Sequence, residues 1–139
     1  MRLAGAADLG DGKAHLHLPF PWIVTHVYGI ASTAPSGGAV TIDIERSDST
    51  GWNSIFTAPK NIIADGKKTG FVTPDGTYEF RCVPGTLTAA STDLSNGDDA
   101  IVRLNLDARN GALDIAVDIG FRSYVPALER YMAYDDLAG

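Results

Sequence analysis

An antiparallel β-sandwich, jelly-roll-like, is the fold class predicted for this 139-residue chain, and three observations predict it. The first is period-two alternation: Val40, Ile42 and Ile44 share one side of a segment whose other side carries Thr41, Asp43 and Glu45. Val102, Leu104 and Leu106 alternate in the same way with Arg103, Asn105 and Asp107. A strand repeats its side-chain direction every second residue, so each segment has one buried and one wet face. The second is punctuation, since 15 glycines and 7 prolines supply the many reversals an all-β chain needs. The third is that no long stretch carries a helical period.

Taken in order, residues 1–15 read as an arm, with three glycines, four alanines and no core-facing period. Residues 16–21 read as an extended edge segment, because Pro19 and Pro21 cannot donate to a central ladder. Residues 22–46 read as strand, turn, strand, reversing at Thr33-Ala-Pro-Ser-Gly-Gly38. Short strands follow at 52–57, 61–64 and 69–72, then one at 78–83 after Asp75-Gly76, and an extended segment at 86–90. The polar loop 91–99 leads into the strand 100–107, and Asn110-Gly111 offers a hairpin turn before a last strand over 113–124. These make seven or eight strands, with the sandwich spanning 16–125 and a tail over 126–139. In the tail, Leu128 and Met132 are four apart and Tyr131 and Tyr134 three apart, as one helix face would be. So short a helix is marginal alone. The tail is therefore expected to be helical or extended and to dock onto a neighbouring subunit, with folding back on its own domain as the alternative.

The net charge of −6 and scattered basic residues exclude a nucleic-acid or anionic-membrane partner. Cys82 is the only cysteine, so no internal disulfide forms, and it reads as a buried thiol in a chain made in the cytoplasm. His15 and His17 point the same way in an extended segment but lack a nearby third ligand, and residues 93–99 do not match a calcium loop. Asp114 and Asp118 lie on the polar side of one strand, as a glycosidase pair would. Outward polar positions need no function, and no nucleophile with an adjacent base is present. No catalytic residue, metal or cofactor is expected. Trp22, Tyr28 and Trp52 are the candidate aromatic platform for a glycan.

The segments Ile23–Ala31, Thr33–Arg46, Asn61–Thr69, Gly97–Asp107 and Leu113–Tyr124 together resemble a β-sandwich module of tailed-bacteriophage virion proteins. That module has a small-residue Ala-Pro-x-Gly turn, an alternating strand, a polar Ile-x-x-Gly segment, a Gly-Asp turn and a long final strand. This chain departs from it at Pro19, Pro21 and Trp22. The resemblance implies a non-enzymatic virion structural protein, above all a capsid decoration (cement) subunit, made in the host cytoplasm and carried on the virion. It implies self-association, expected as a homotrimer, and contact with the major capsid or another virion protein. The resemblance covers about residues 20–125 and leaves the tail unmatched; the tail's own apolar residues Leu128, Tyr131, Met132 and Tyr134 are the candidates for docking. The alternative is a tail or head-fibre glycan-binding module for host attachment.

Overall fold

A computed structural model describes residues 1–17, 22–48, 51–74, 79–80, 101–125 and 130–133. Among them are eleven strands and no helix. In chain order these are β1 (Arg2–Leu3), β2 (Gly10–His17), β3 (Trp22–Ile30), β4 (Val40–Asp48), β5 (Gly51–Ser54) and β6 (Lys60–Ile63). They continue as β7 (Thr69–Val72), β8 (Glu79–Phe80), β9 (Ile101–Ala108), β10 (Ile115–Val125) and β11 (Arg130–Ala133). The predicted β-sandwich is what forms: a six-stranded sheet A and a five-stranded sheet B, both antiparallel. In sheet A, β10 and β3 pair centrally, with β1 and β11 sharing the free edge of β10 and β7 and β8 sharing that of β3. In sheet B the order is β2, β9, β4, with β5 and β6 sharing the last edge. Each sheet is thus four strands wide, and the extra strands beyond the expected seven or eight are short pieces dividing an edge.

The alternating segments supply the core. Val40, Ile42 and Ile44 of β4, Val102, Leu104 and Leu106 of β9, and Ile115 and Val117 of β10 are all fully buried. Each such side chain contributes about 1.5–3 kcal/mol of gross burial. Ile55, Ile62 and Ile63 close the side of the sandwich where sheet B approaches β7. Two glycines permit that approach. Gly29 and Gly70 face each other in register across β3 and β7. A Cβ on Gly29 would lie 2.8 Å from Ile62 Cγ1, and one on Gly70 would collide with the Ile62 carbonyl oxygen.

Three expectations change. The segment 22–46 is not a hairpin, because β3 lies in sheet A and β4 in sheet B, so residues 31–39 arch between the layers. Nor is Asn110-Gly111 the tip of a hairpin, although both residues have positive φ (47° and 78°) and Ala112 N–H does bond Arg109 O at 3.0 Å. The turn is real, but β9 and β10 belong to different sheets. The two arches lie side by side instead: Ser36 N–H donates to Asn110 O (2.8 Å), and Asn110 Nδ2 to Ala39 O (2.7 Å). The third change concerns the supposed arm. Residues 1–15 hold β1 and most of β2, Leu3 is buried opposite Ile115, and Gly5 before β2 and Gly10 and Gly12 in its bulged start take positive φ.

At the other end of the chain, Arg130–Ala133 is extended and pairs antiparallel with Arg122–Val125 of β10. The helix face drawn through Tyr131 and Met132 therefore does not exist, and this part of the tail folds back on its own domain as a strand. Leu128 and Tyr134 lie outside the described residues, as do Cys82, the Asp75-Gly76 turn and the loop 91–99. No helix among the described residues is long and apolar enough to cross a membrane.

Candidate functional site

Two outward faces carry the side chains that matter. On sheet A, the outer positions of β3 are His26, Tyr28 and Ile30, and register places each against a short or charged residue of β10. Ile30 is beside Ala116, Tyr28 beside Asp118, and His26 beside Gly120. On the other side of β3, Phe71 pairs with Tyr28 and Thr69 with Ile30. Arg2 of β1 extends the Ile30–Ala116 row. Tyr28, Ile30 and Phe71 are 47%, 48% and 64% exposed, large apolar groups in one contiguous patch. Their rings interlock: His26 and Tyr28 are edge-on at 4.6 Å, and Tyr28 and Phe71 tilted at 5.9 Å. The β3–β10 register slips between Gly120 and Phe121, a β-bulge that puts Thr25 Oγ1 3.0 Å from His26 Nδ1. The imidazole fills the space over Gly120, where any Cβ would strike it. The result is an apolar ridge of Tyr28, Ile30 and Phe71 on β3 and β7.

The outer face of sheet B is polar and closed on itself. His15, Arg103, Glu45 and Ser54 stand in one row across β2, β9, β4 and β5. Arg103 donates from Nε (3.1 Å) and Nη2 (2.8 Å) to Glu45 Oε2, and its guanidinium carbon sits 4.4 Å from the Trp52 ring centroid. Glu45 Oε1 accepts from Asn105 Nδ2 at 2.6 Å, and Asn105 Oδ1 accepts from Gly12 N–H at 2.9 Å. Asn105 is buried because the bulged Gly10–Gly12 segment of β2 lies over it. His15 meets the Trp52 ring edge-on at 6.1 Å. Ser54 Oγ donates to Asp43 Oδ1 and accepts from Phe56 N–H at 2.9 Å. These contacts fasten β2 and β5 to the sheet.

Burial raises the Asp43 carboxyl above the ordinary 3.8, against the opposing Ser54 bond, and neighbouring Glu45 and Asp107 add to the rise. Burial likewise raises Asp107, helped by Asp11 and Glu45. Asp114 moves the other way, lowered by the Ser32 hydroxyl and then by Gly5 N–H. A raised carboxyl favours folding when protonated. Its contribution is complete below 3.8 and is lost as pH rises through the folded value. Asp43→Asn keeps an acceptor for Ser54 and removes the titration. The variant is expected to be more stable than the parent at neutral pH, with a shallower loss of stability from about pH 4 to about pH 7. Urea midpoints across that range read it, and identical slopes would refute it.

The predicted platform does not assemble. Tyr28 is exposed on sheet A and Trp52 on sheet B, so no single glycan could lie across both. Of Trp22 the structure describes the backbone, at the first position of β3. Asp114 and Asp118 do not share a strand face: Asp114 precedes β10 with φ 52°, and its carboxylate binds Gly5 N–H (2.7 Å) and Ser32 Oγ (2.7 Å). His15 faces Arg103 and Trp52, and no group of three or more His, Cys, Asp or Glu among the described residues could hold a metal. Of the docking residues, Tyr131 and Met132 pair with Tyr124 and Ser123 through the backbone. Sequence reasoning missed Phe71 and Ile30. For Ile30 the signal was the apolar content of β3, where Trp22, Ile23, Val24, Val27, Tyr28 and Ile30 are more than one buried face consumes. No protein-family model, no curated protein and no solved structure matches the chain.

Proposed function

We propose that this chain is a non-enzymatic virion structural protein of a tailed bacteriophage, acting as a capsid decoration subunit. Its partners are other copies of itself and the major capsid protein. The observation that carries this is the exposed patch Ile30, Tyr28 and Phe71 on the outer face of sheet A. Contiguous exposed apolar surface of this kind favours contact with another macromolecule. The chemistry is that of a contact surface: rings and aliphatic groups that gain by losing water, on a framework stiffened by two four-strand layers. Repeated over a lattice, even a modest contact holds through multivalency.

In particles of a phage that encodes the chain, the protein is expected at many copies per particle, and Phe71→Asp is expected to stay folded yet be depleted from particles. Quantitative mass spectrometry of purified particles reads both, and absence of the parent chain from particles would refute the proposal. A second reading rests on Trp52, 38% exposed beside His15 and Arg103, as a glycan contact for host attachment. Glycan-array binding abolished by Trp52→Ala would favour it.

A further inference from the structure

We propose that the outer face of sheet A seats a second copy of this chain, in an isologous contact about a two-fold axis. The inference rests on reading that face as an assembly surface, and it names self as the partner there. Tyr28 and Ile30 are two residues apart on β3 and point the same way, so they stand about 7 Å apart along the strand. A two-fold axis lying in the face, perpendicular to β3 and passing between them, sets Tyr28 of each copy on Ile30 of the other. The same rotation fixes everything else. Asp118, beside Tyr28 on β10, comes to lie across from Ala116, whose short side chain leaves room. Arg2 is the next residue in that row, one strand further out. Each Arg2 therefore meets the partner's Asp118, and symmetry makes the pair twice. Phe71, beside Tyr28 on β7, covers Thr69, which is beside Ile30.

Self-recognition follows from where the charges stand. Arg2 belongs to the Ile30 row and Asp118 to the Tyr28 row, so opposite signs flank the two halves of the apolar pair. A partner of a single charge would satisfy one and repel the other. A copy of the same face presents both signs in the complementary order. In the free chain Arg2 already lies close enough to Asp114 to lower its carboxyl, and Asp114 is in addition held by Ser32 and Gly5. Arg2 can thus turn to Asp118 without stranding that carboxylate. The register favours a two-fold pair over the threefold ring expected from the resemblance.

The test uses the purified full chain without any particle, by sedimentation from about 1 μM to about 1 mM. The 14.7 kDa chain is expected to move to twice its mass as concentration rises. Tyr28→Ser and Ile30→Ser, both at exposed positions, are expected to keep the thermal midpoint and weaken pairing at least tenfold. Arg2→Asp alone and Asp118→Arg alone are each expected to abolish pairing, and the double swap to restore it. A monomer throughout overturns the proposal, and so does a trimer, or a dimer indifferent to all four changes. If the chain is monomeric yet still found in particles, the pairing fails and the structural role stands. If it pairs but is absent from particles, the reverse holds.

Discussion

Gly70→Ala is expected to destabilise the fold by about 3 kcal/mol, the upper end of what one added methyl does in a packed interior. The obstacle is the carbonyl oxygen of Ile62, which belongs to the β6 backbone and cannot rotate away. Either β6 moves off β7, unpacking Ile62 and Ile63, or β7 leaves β3. The urea midpoint should fall with little change in slope, and an unshifted midpoint would mean that β6 and β7 do not approach as described. Two controls separate collision from other causes. Gly37→Ala has open space but φ 80°, so it should cost only the left-handed strain, about 1–2 kcal/mol. Gly120→Ala meets a side chain, the His26 imidazole. That ring can swing out, so the expected result is a smaller stability loss with His26 displaced from Tyr28, read by NMR.

Leu104→Ala should be of similar or larger size, about 2–5 kcal/mol. Leu104 is fully buried at the middle of β9, where register puts Ala14 on one side and Ile44 on the other. Neither neighbour can spread into the vacated volume without leaving its ladder, so the cavity persists. Total stability for a domain is about 5–15 kcal/mol, so the variant should be visibly unfolded in mild denaturant. Leu9→Ala removes the same atoms from a residue 56% exposed and should change stability by no more than about 0.5 kcal/mol. Equal effects for the two leucines would contradict the placement of the core.

How far these features could be read from the chain alone varies by element. The strands β4, β9 and β10 were legible because each buries one face and wets the other, which forces Val, Ile and Leu to alternate with polar residues. Pairing was not legible. Asn110-Gly111 has the left-handed propensity of a hairpin tip and does close a turn. Yet whether the strand after a turn returns to its own sheet or crosses to the other depends on what waits there, and Thr33 and Ser32 wait to bind Leu113. On β3 the bulge at Thr25 shifts the alternation partway along, so Val24 and Val27 are both buried while Tyr28 and Ile30 are exposed. The helical spacing of the tail failed for a local reason. A free edge of β10 is within reach of Arg130–Ala133, and Tyr131 and Met132 pair along it as part of a strand.

The two arches lying side by side also govern when the protein can fold. The centre of sheet B and the arches both join residues far apart in the chain: Glu45 and Arg103 are 58 residues apart, and Asn110 and Ala39 are 71. During synthesis at about 5–20 residues per second, β4 leaves the ribosome roughly 3–12 seconds before the strand that completes its ladder. For that interval Val40, Ile42 and Ile44 have no β9 to flank them. Polar Thr41, Asp43 and Glu45 on the alternate positions place a polar residue beside each bare aliphatic one, and charge beside Ile42 and Ile44, which discourages premature pairing with other nascent chains. Such long-range closure also places folding at the slow, millisecond-to-second end expected of sandwiches.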